Sequence, residues 1–305
     1  MKYNSDEKPV GTGLGAASAG VAYSAAVVGY LAFSLVFSLI VIATGMTSSS
    51  DVYKYLSYLV APLAVIVTQP ICAKRRNTGF ACLFPVKTKL KYYLNAPLLA
   101  FGLLFSVGFI NTGFKELLEL IGYESNLNSL PGTGGGMIVL SLFVIAVLPA
   151  VCEESLFRGV LLNNMEREAG SINTVLLVGF AFSLFHANIL QTVYQFICGC
   201  SLALLAIRSR SILPSVLVHF INNAVIIIMN ACGMDVNGNI FDMVPLWAAI
   251  LVVVLSALSF IAAAFLLIFD KTPTYKPQKG GVKNFFIYGS VGICALVIMF
   301  IANLF

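Results

Sequence analysis

Ionisable side chains are few within the long apolar stretches of this sequence, and those that occur cluster between positions 153 and 219. Both histidines of the protein, His186 and His219, belong to this cluster. An Asp, Lys or Arg at the centre of a membrane helix costs about 2.5 to 3.5 kcal/mol, so such residues usually have a functional role. The cluster is therefore the first candidate for chemistry.

The first motif of the cluster reads EESLFR, from Glu153 to Arg158. On a helix, Glu154 and Arg158 are four residues apart, so they share a face and can pair. Glu153 is turned about 100 degrees away from Glu154. The spacing predicts a structural pair of Glu154 with Arg158 and leaves Glu153 free for chemistry. The alternative is one buried charge network made by all three.

Two further motifs carry the imidazoles. Phe182 lies one helical turn before His186, so its ring can shield that imidazole, although a single His on an apolar helix is often only a satisfied core residue. His219 and Asn223 are four residues apart and project two hydrogen-bonding groups from one face. Hydrogen bonds between helices are the structural alternative for this pair.

Together, Glu153, His186, His219 and Asn223 provide the groups that water-dependent hydrolysis requires. A general base must take a proton from the attacking water, and donors must stabilise the oxyanion that forms on the attacked carbonyl. Glu153 suits the role of base because the pairing of Glu154 with Arg158 leaves it uncommitted.

The elements that must position these residues are membrane helices. Of the 305 residues, 59% are hydrophobic and 10% are charged, whereas a soluble domain has about a quarter charged residues. A helix needs about 20 residues to cross the bilayer. The pattern predicts an all-α polytopic bundle of eight to nine spans, with a catalytic core of about four helices. The predicted spans are 20–45, 55–73, 91–112, 137–162, 172–188, 190–207, 213–231, 246–269 and 285–305.

Lysine and arginine residues set the expected orientation in the cell membrane. With the N-terminus in the cytoplasm, fifteen of the eighteen fall in predicted cytoplasmic loops and two, Lys54 and Lys115, lie outside. This distribution explains the net charge of +5 without a nucleic-acid partner. The seven cysteines form no CxxC pair, so a disulfide framework is not expected.

The predicted spans and the position of the candidate residues divide the chain into three parts. These are N-terminal helices and an outer loop in 1–136, the expected catalytic core in 137–231, and C-terminal helices in 232–305. The loop 113–136 begins with an amphipathic piece, which could lie on the outer membrane interface.

The ordered motifs EExxxR, FxxxH and HxxxN resemble those of the CPBP family of intramembrane peptidases, which includes type II CAAX prenyl endopeptidases and bacteriocin-processing (Abi) proteins. The resemblance covers residues 137–231. It implies a cavity between helices in which Glu153 and His186 activate water, while His219 and Asn223 stabilise the oxyanion. Glu154, Arg158 and Phe182 match family positions and are interpreted as supports. The family's substrates imply prenylated CAAX proteins or small peptides of the bacteriocin type.

Metal use stays open at this point. Glu153, His186 and His219 could bind zinc, as in sites with two imidazoles, one carboxylate and a water. No HExxH motif is present, however, and the ligands would come from three helices. A metal-free mechanism is favoured because it also gives His219 and Asn223 a role.

Two other functions fit the same residues. A non-catalytic membrane scaffold or immunity protein would keep the motifs for packing. A proton-coupled transporter would use Glu and His as a relay, but the sequence has no repeated halves.

The predicted spans also conflict with a shared site. They place Glu153 and His219 near the cytoplasmic ends of their helices and His186 near an outer end, a mismatch on the order of 10 Å. We expect the span boundaries to be at fault.

Overall fold

The computed structural model describes residues 15–75, 87–123, 129–234 and 244–302, and these residues contain helices and connections but no strand. The helices are α1 (Gly15–Thr44), α2 (Asp51–Arg75), α3 (Leu90–Leu120), α4 (Met137–Ala169), α5 (Ser171–Phe185), α6 (Thr192–Ser209), α7 (Leu213–Ala231), α8 (Leu246–Ile268) and α9 (Gly281–Ala302).

Eight of these helices are long and apolar enough to cross a membrane. The prediction of an all-α, multi-pass membrane protein with eight to nine spans is confirmed. The exception is α5, where the predicted span 172–188 is a helix of only 15 residues. It is too short to cross the hydrocarbon region alone, and it forms a hairpin with α6.

Glycines allow α5 and α6 to pack closely. A Cβ at Gly179 would collide with the Cys200 sulfur, and one at Gly199 would lie 2.8 Å from the Gly179 backbone. Ser183 Oγ also donates a 2.9 Å hydrogen bond to the Thr192 carbonyl. These contacts fix the end of α5 against the start of α6.

Two predicted boundaries are wrong. The helix α4 continues to Ala169 rather than ending at 162. This polar segment is compatible with a helix because the side-chain amides of Asn163 and Asn164 donate to carbonyls one turn earlier. It ends at Gly170, whose φ of 80° breaks the helix. Likewise α3 continues to Leu120, so the amphipathic start of loop 113–136 extends a span.

The connection between α8 and α9, residues 270–280, lies across one end of the bundle, which we call the basal end. Asp270 accepts hydrogen bonds from Lys91, Tyr92 and Thr272. Burial acts to raise the pKa of Asp270, but these hydrogen bonds outweigh it and hold the pKa below its usual range. Asp270 therefore joins the start of α3 to the end of α8.

The same connection binds other helix ends through its backbone. Arg208 Nη1 donates to the Thr272 carbonyl at 3.0 Å, and the Ser171 amide donates to the Tyr275 carbonyl at 3.0 Å. The basal end thus collects the end of α6 and the start of α5.

The basal end agrees with the predicted arrangement of basic loops. It gathers Lys91, Arg208 and Arg210, all predicted to be on one side of the membrane. Lys54, predicted on the other side, contacts Ser129 instead. Which side is cytoplasmic stays a prediction. Three of the basic residues that were predicted to be cytoplasmic, Lys2, Lys8 and Arg76, lie outside the described residues.

Helices α1 and α9 also meet at glycines. A side chain on Gly20 would lie 2.7 Å from both the Gly289 amide nitrogen and the Phe285 carbonyl oxygen. Small residues of this kind let membrane helices approach closely.

We predict that Gly20→Ala lowers the thermal stability of the purified protein, because the added methyl overpacks the contact at a cost of about 1 to 3 kcal/mol. The control is Gly113→Ala in α3, where an added Cβ meets nothing within 4 Å. Alanine is the better helix former, so this control should match or exceed the wild-type midpoint. Equal midpoints for both variants would contradict the α1–α9 contact.

Candidate active site

Two adjacent carboxylates of α4 face two different imidazoles. Glu154 Oε1 accepts a 3.0 Å hydrogen bond from His219 Nδ1. Glu153 Oε2 lies 3.9 Å from His186 Nε2. The rotation of about 100 degrees between neighbouring helical positions separates the two carboxylates in this way.

The Glu154 carboxylate is committed to structure. Its Oε1 also accepts a 2.9 Å hydrogen bond from Arg158 Nη1, and Arg158 Nη2 donates to the Gly199 carbonyl at 2.9 Å. Glu154 and Arg158 are both 0% exposed. Their predicted pairing is confirmed, and the additional bonds to His219 and Gly199 join α4 to α7 and α6.

The hydrogen bond to Glu154 also fixes the His219 ring. A carboxylate can only accept, so Nδ1 of His219 carries a proton. Such a bond sets both the orientation of the ring and the position of the remaining nitrogen, Nε2.

Glu153 has a different environment. Its Oε2 is buried and has no hydrogen-bond partner among the described residues. His186 Nδ1 donates a 2.8 Å hydrogen bond to the Phe182 carbonyl, so a neutral His186 ring presents an unprotonated Nε2 towards Glu153. The 3.9 Å separation is too long for a direct hydrogen bond but suits a bridging water.

The Phe182 ring lies between the two imidazoles. Its centroid is 4.7 Å from that of His186 and 6.1 Å from that of His219. The Arg158 guanidinium carbon lies 4.7 Å from the same centroid. The predicted contact of Phe182 with His186 is confirmed, and the ring also contacts the Glu154 network through Arg158.

Asn223 connects α7 to α4. Its Nδ2 donates a 3.0 Å hydrogen bond to the Ile145 carbonyl. Four residues after Ile145 comes Pro149, which has no N–H to donate to that carbonyl in an α-helix. The helix is also widened to π-type turns over Leu142–Val147. Asn223 therefore satisfies a carbonyl that the proline deprives of its α-helical partner, and its amide retains a second N–H.

The depth conflict disappears with the corrected helix boundaries. Glu153 is the central residue of α4, sixteen residues from each end. It lies 17 residues before Gly170, and His186 lies 16 residues after it. At 1.5 Å per residue, both are about 25 Å from this turn. The expectation that the span boundaries were at fault is confirmed, because the predicted fourth span ended too early.

The chain turns sharply after His186. Ala187 has a φ of 47°, which residues other than glycine rarely adopt. The Asn188 side chain accepts a 3.0 Å hydrogen bond from the Leu190 amide and stabilises the turn. Such backbone strain persists where the surrounding structure requires it, and here it places His186 at the end of α5.

One polar contact beside the site was not foreseen. Asn222 Nδ2 donates a 3.2 Å hydrogen bond to the Tyr194 hydroxyl. Its Oδ1 is buried without a hydrogen-bond partner among the described residues. The signal in the sequence was a second asparagine beside Asn223 on an apolar helix.

The zinc alternative is not supported by the arrangement of the side chains. Across the described ranges, no group of three His, Cys, Asp or Glu residues is arranged to hold a metal ion. Of the predicted set of Glu153, His186 and His219, the last donates Nδ1–H to Glu154 and keeps Nε2, so this hydrogen bond does not itself argue against a metal. Because the described residues do not form a group of three ligands, we derive no step through a metal.

The fold and the site define a class: an all-helical, multi-pass membrane protein with buried carboxylate–imidazole pairs near the centre of its long fourth helix. Residues 135–225 match the family described as type II CAAX prenyl endopeptidase Rce1-like. This segment is a domain of that family, as the motifs indicated, and the family implies an intramembrane protease. No curated protein and no solved structure matches the chain.

The two carboxylates are expected to differ in their effect on stability. Glu154→Gln leaves Arg158 buried without a counter-charge, which costs about 3 to 5 kcal/mol. Glu153→Gln removes a buried charge whose Oε2 accepts no hydrogen bond from the described residues, so the unfolding temperature should stay the same or rise. Thermal unfolding in detergent checks this matched pair. A larger loss for Glu153→Gln than for Glu154→Gln would contradict the assigned contacts.

Proposed function

We propose that the protein is an intramembrane endopeptidase in which Glu153, with His186, activates the water that attacks a peptide bond. The observation that carries the proposal is the contrast between two neighbouring glutamates. Glu154 is held through Oε1 by Arg158 and His219, although its Oε2 has no partner among the described residues. Glu153 has no such anchor: no described residue bonds to its buried Oε2, which lies 3.9 Å from His186.

In the proposed reaction, a water lies between the Glu153 carboxylate and His186 Nε2. The water donates one hydrogen bond to each group, and its oxygen attacks the carbonyl carbon as Glu153 takes the proton. When the C–N bond breaks, Glu153 returns this proton to the leaving amine nitrogen. Collapse gives a carboxylic acid and an amine, and Glu153 is ionised again. The acid then passes its remaining proton to the amine, so the products leave as a carboxylate and an ammonium group.

Stabilisation of the oxyanion falls to His219 and Asn223 in this proposal. The Nδ1–H of His219 is committed to Glu154, so its Nε2 donates to the oxyanion only when the ring is an imidazolium. The Glu154 carboxylate would balance part of that charge. Asn223 uses one N–H for the Ile145 carbonyl and would give the second to the oxyanion. Arg158 and Phe182 support these groups without touching substrate.

The substrate in this proposal is a peptide or protein segment that enters the bilayer. Glu153 lies at the middle of a 33-residue helix, so the bond to be cut must reach well below the membrane surface. A prenylated CAAX-like C-terminus or a small bacteriocin-type peptide meets this requirement because its apolar part partitions into lipid.

We predict that Glu153→Gln abolishes cleavage, with a loss of at least 10²- to 10⁴-fold expected for a general base. The control is Glu116→Gln, which removes an exposed carboxylate of α3 and should keep wild-type activity. The measurement compares the peptide products of cells that express each variant, followed by assays with purified protein in bilayers. Full activity of Glu153→Gln would end the proposal.

We also predict that cleavage needs no metal. Treatment of the purified protein with a strong zinc chelator should leave its rate unchanged, and elemental analysis should find no stoichiometric metal. The physical reason is that the described residues do not provide three ligands in one place. Loss of activity on chelation, with recovery on adding zinc, would contradict this prediction.

One observation favours a second candidate, a membrane scaffold or immunity protein without catalysis. The bonds of Glu154 to Arg158 and His219, and of Arg158 to Gly199, join three helices and would be useful for packing alone. In that case Glu153→Gln and His219→Ala would preserve the biological phenotype.

A further inference from the structure

Tyr194 and Asn222 form a polar pair beside the proposed catalytic residues. Tyr194 lies in the first turn of α6, and Asn222 lies in α7. Asn222 Nδ2 donates a 3.2 Å hydrogen bond to the tyrosine hydroxyl, which is partly buried. Asn222 is 3% exposed. Neither residue is a defined position of the three motifs: Asn222 is a variable position within HxxxN, and Tyr194 lies outside all three.

This pair retains an unused acceptor, Asn222 Oδ1, and unused donors, the Tyr194 O–H and the second Asn222 N–H. The Tyr194 hydroxyl accepts from Asn222, so its own hydrogen remains available, and no second hydrogen bond to it occurs among the described residues. Asn222 Oδ1 is buried without a partner in the same part of the chain. If the amide were turned over, the hydroxyl would donate to Oδ1. The free donors would then be on Asn222 Nδ2 and the free acceptor would be the tyrosine oxygen, so the pair would still offer both.

An unpaired acceptor inside a protein calls for an explanation because most buried polar side-chain atoms have a hydrogen-bond partner. Tyr194→Phe with an aliphatic residue at 222 would hold α6 and α7 together without leaving such an atom. A ligand that supplies one acceptor and one donor side by side would complete the hydrogen bonds of this pair.

The position of the pair relates it to the site. Asn222 directly precedes Asn223 and lies three residues after His219, on the neighbouring part of the same helical surface. Tyr194 follows Thr192, whose carbonyl accepts from Ser183 at the end of α5. The pair therefore lies between the helix end that carries His186 and the helix that carries His219.

We propose that Tyr194 and Asn222 bind one backbone peptide group of the substrate next to the bond that is cut. A peptide group has a C=O acceptor and an N–H donor, which match the Tyr194 O–H and the Asn222 Oδ1. Both protein groups are neutral, so the subsite recognises an extended backbone rather than a charged side chain. This inference rests on the proposed function, because it assigns the substrate contacts of the same site.

The test uses the full-length protein in lipid nanodiscs and a proteome-derived peptide mixture, part of it farnesylated on cysteine. Mass spectrometry identifies the peptide that the wild type cuts fastest, and this peptide is remade as an internally quenched substrate. Tyr194→Phe removes only the hydroxyl oxygen. Its kcat/KM should fall about fivefold to tenfold, as expected for one neutral hydrogen bond, with the unfolding temperature retained.

The matched control is Tyr55→Phe. Its hydroxyl also joins two helices, at 2.7 Å from Ser141 Oγ, but it lies at the opposite end of the bundle from residues 270–280. We expect this control to lower the unfolding temperature and to keep wild-type kcat/KM. If Tyr194→Phe behaves like Tyr55→Phe, the pair only holds helices together, and the inference is overturned.

Ester substrates test the contact directly. Each amide N–H flanking the cleaved bond is replaced in turn by an ester oxygen, which cannot donate to Asn222 Oδ1. At one position the wild type should cut the ester at least fivefold more slowly than the amide, and Asn222→Ala should cut both at the same rate. An equal ester effect in wild type and Asn222→Ala at every position overturns the inference.

These outcomes separate the two proposals. No cleavage of any peptide by the wild type, or full cleavage by Glu153→Gln, overturns the proposed function and this inference with it. Cleavage that depends on Glu153 but is unchanged in Tyr194→Phe overturns the inference alone.

Discussion

The buried hydrogen bonds of Glu154 are the interaction on which the site depends. A carboxylate within a membrane bundle needs partners because the surrounding lipid offers none. Arg158 provides one from the same helix, and His219 provides another from α7. Since Arg158 also donates to Gly199 of α6, one charge fixes the relative positions of three helices and of one imidazole.

Because Glu154 is bound to Arg158 and His219, Glu153 is the carboxylate that remains for the proposed chemistry. The two are neighbours on α4, so they point in different directions, and Glu153 Oε2 takes no hydrogen bond from Arg158 or His219. Glu153 faces His186 at the end of the short α5. The turn at Gly170 sets the depth of His186, because 17 residues separate Gly170 from Glu153 and 16 separate it from His186. The hairpin of α5 and α6 then turns at Ala187, directly after the imidazole.

The sequence predicted what depends on spacing within one helix. The pair of Glu154 with Arg158, the contact of Phe182 with His186, the shared end of the basic loops and the all-helical membrane fold all follow from periodicity and composition. Long-range contacts could not be predicted in this way. The bond of His219 to Glu154 spans 65 residues, and the bond of Asn223 to Ile145 spans 78.

The residue at which α4 ends could not be predicted from hydropathy either. Asn163, Asn164 and Glu166 read as the polar start of a loop. Their side chains instead bond to earlier carbonyls or, for Glu166, to Ser171 and Arg210, which is compatible with a helical segment outside the apolar span. The longer helix shifts the apparent depth of every residue counted from its end.

The central claim is that a peptide carbonyl is bound between Glu153 with His186 on one side and His219 with Asn223 on the other. A cryo-EM structure of the wild-type protein with a phosphinic analogue of its substrate tests this most directly. One phosphinate oxygen should lie about 3 Å from Glu153 and His186, and the other should lie at the same hydrogen-bonding distance from His219 and Asn223. A phosphinate bound away from Glu153, or bridged by a metal ion, would contradict the account.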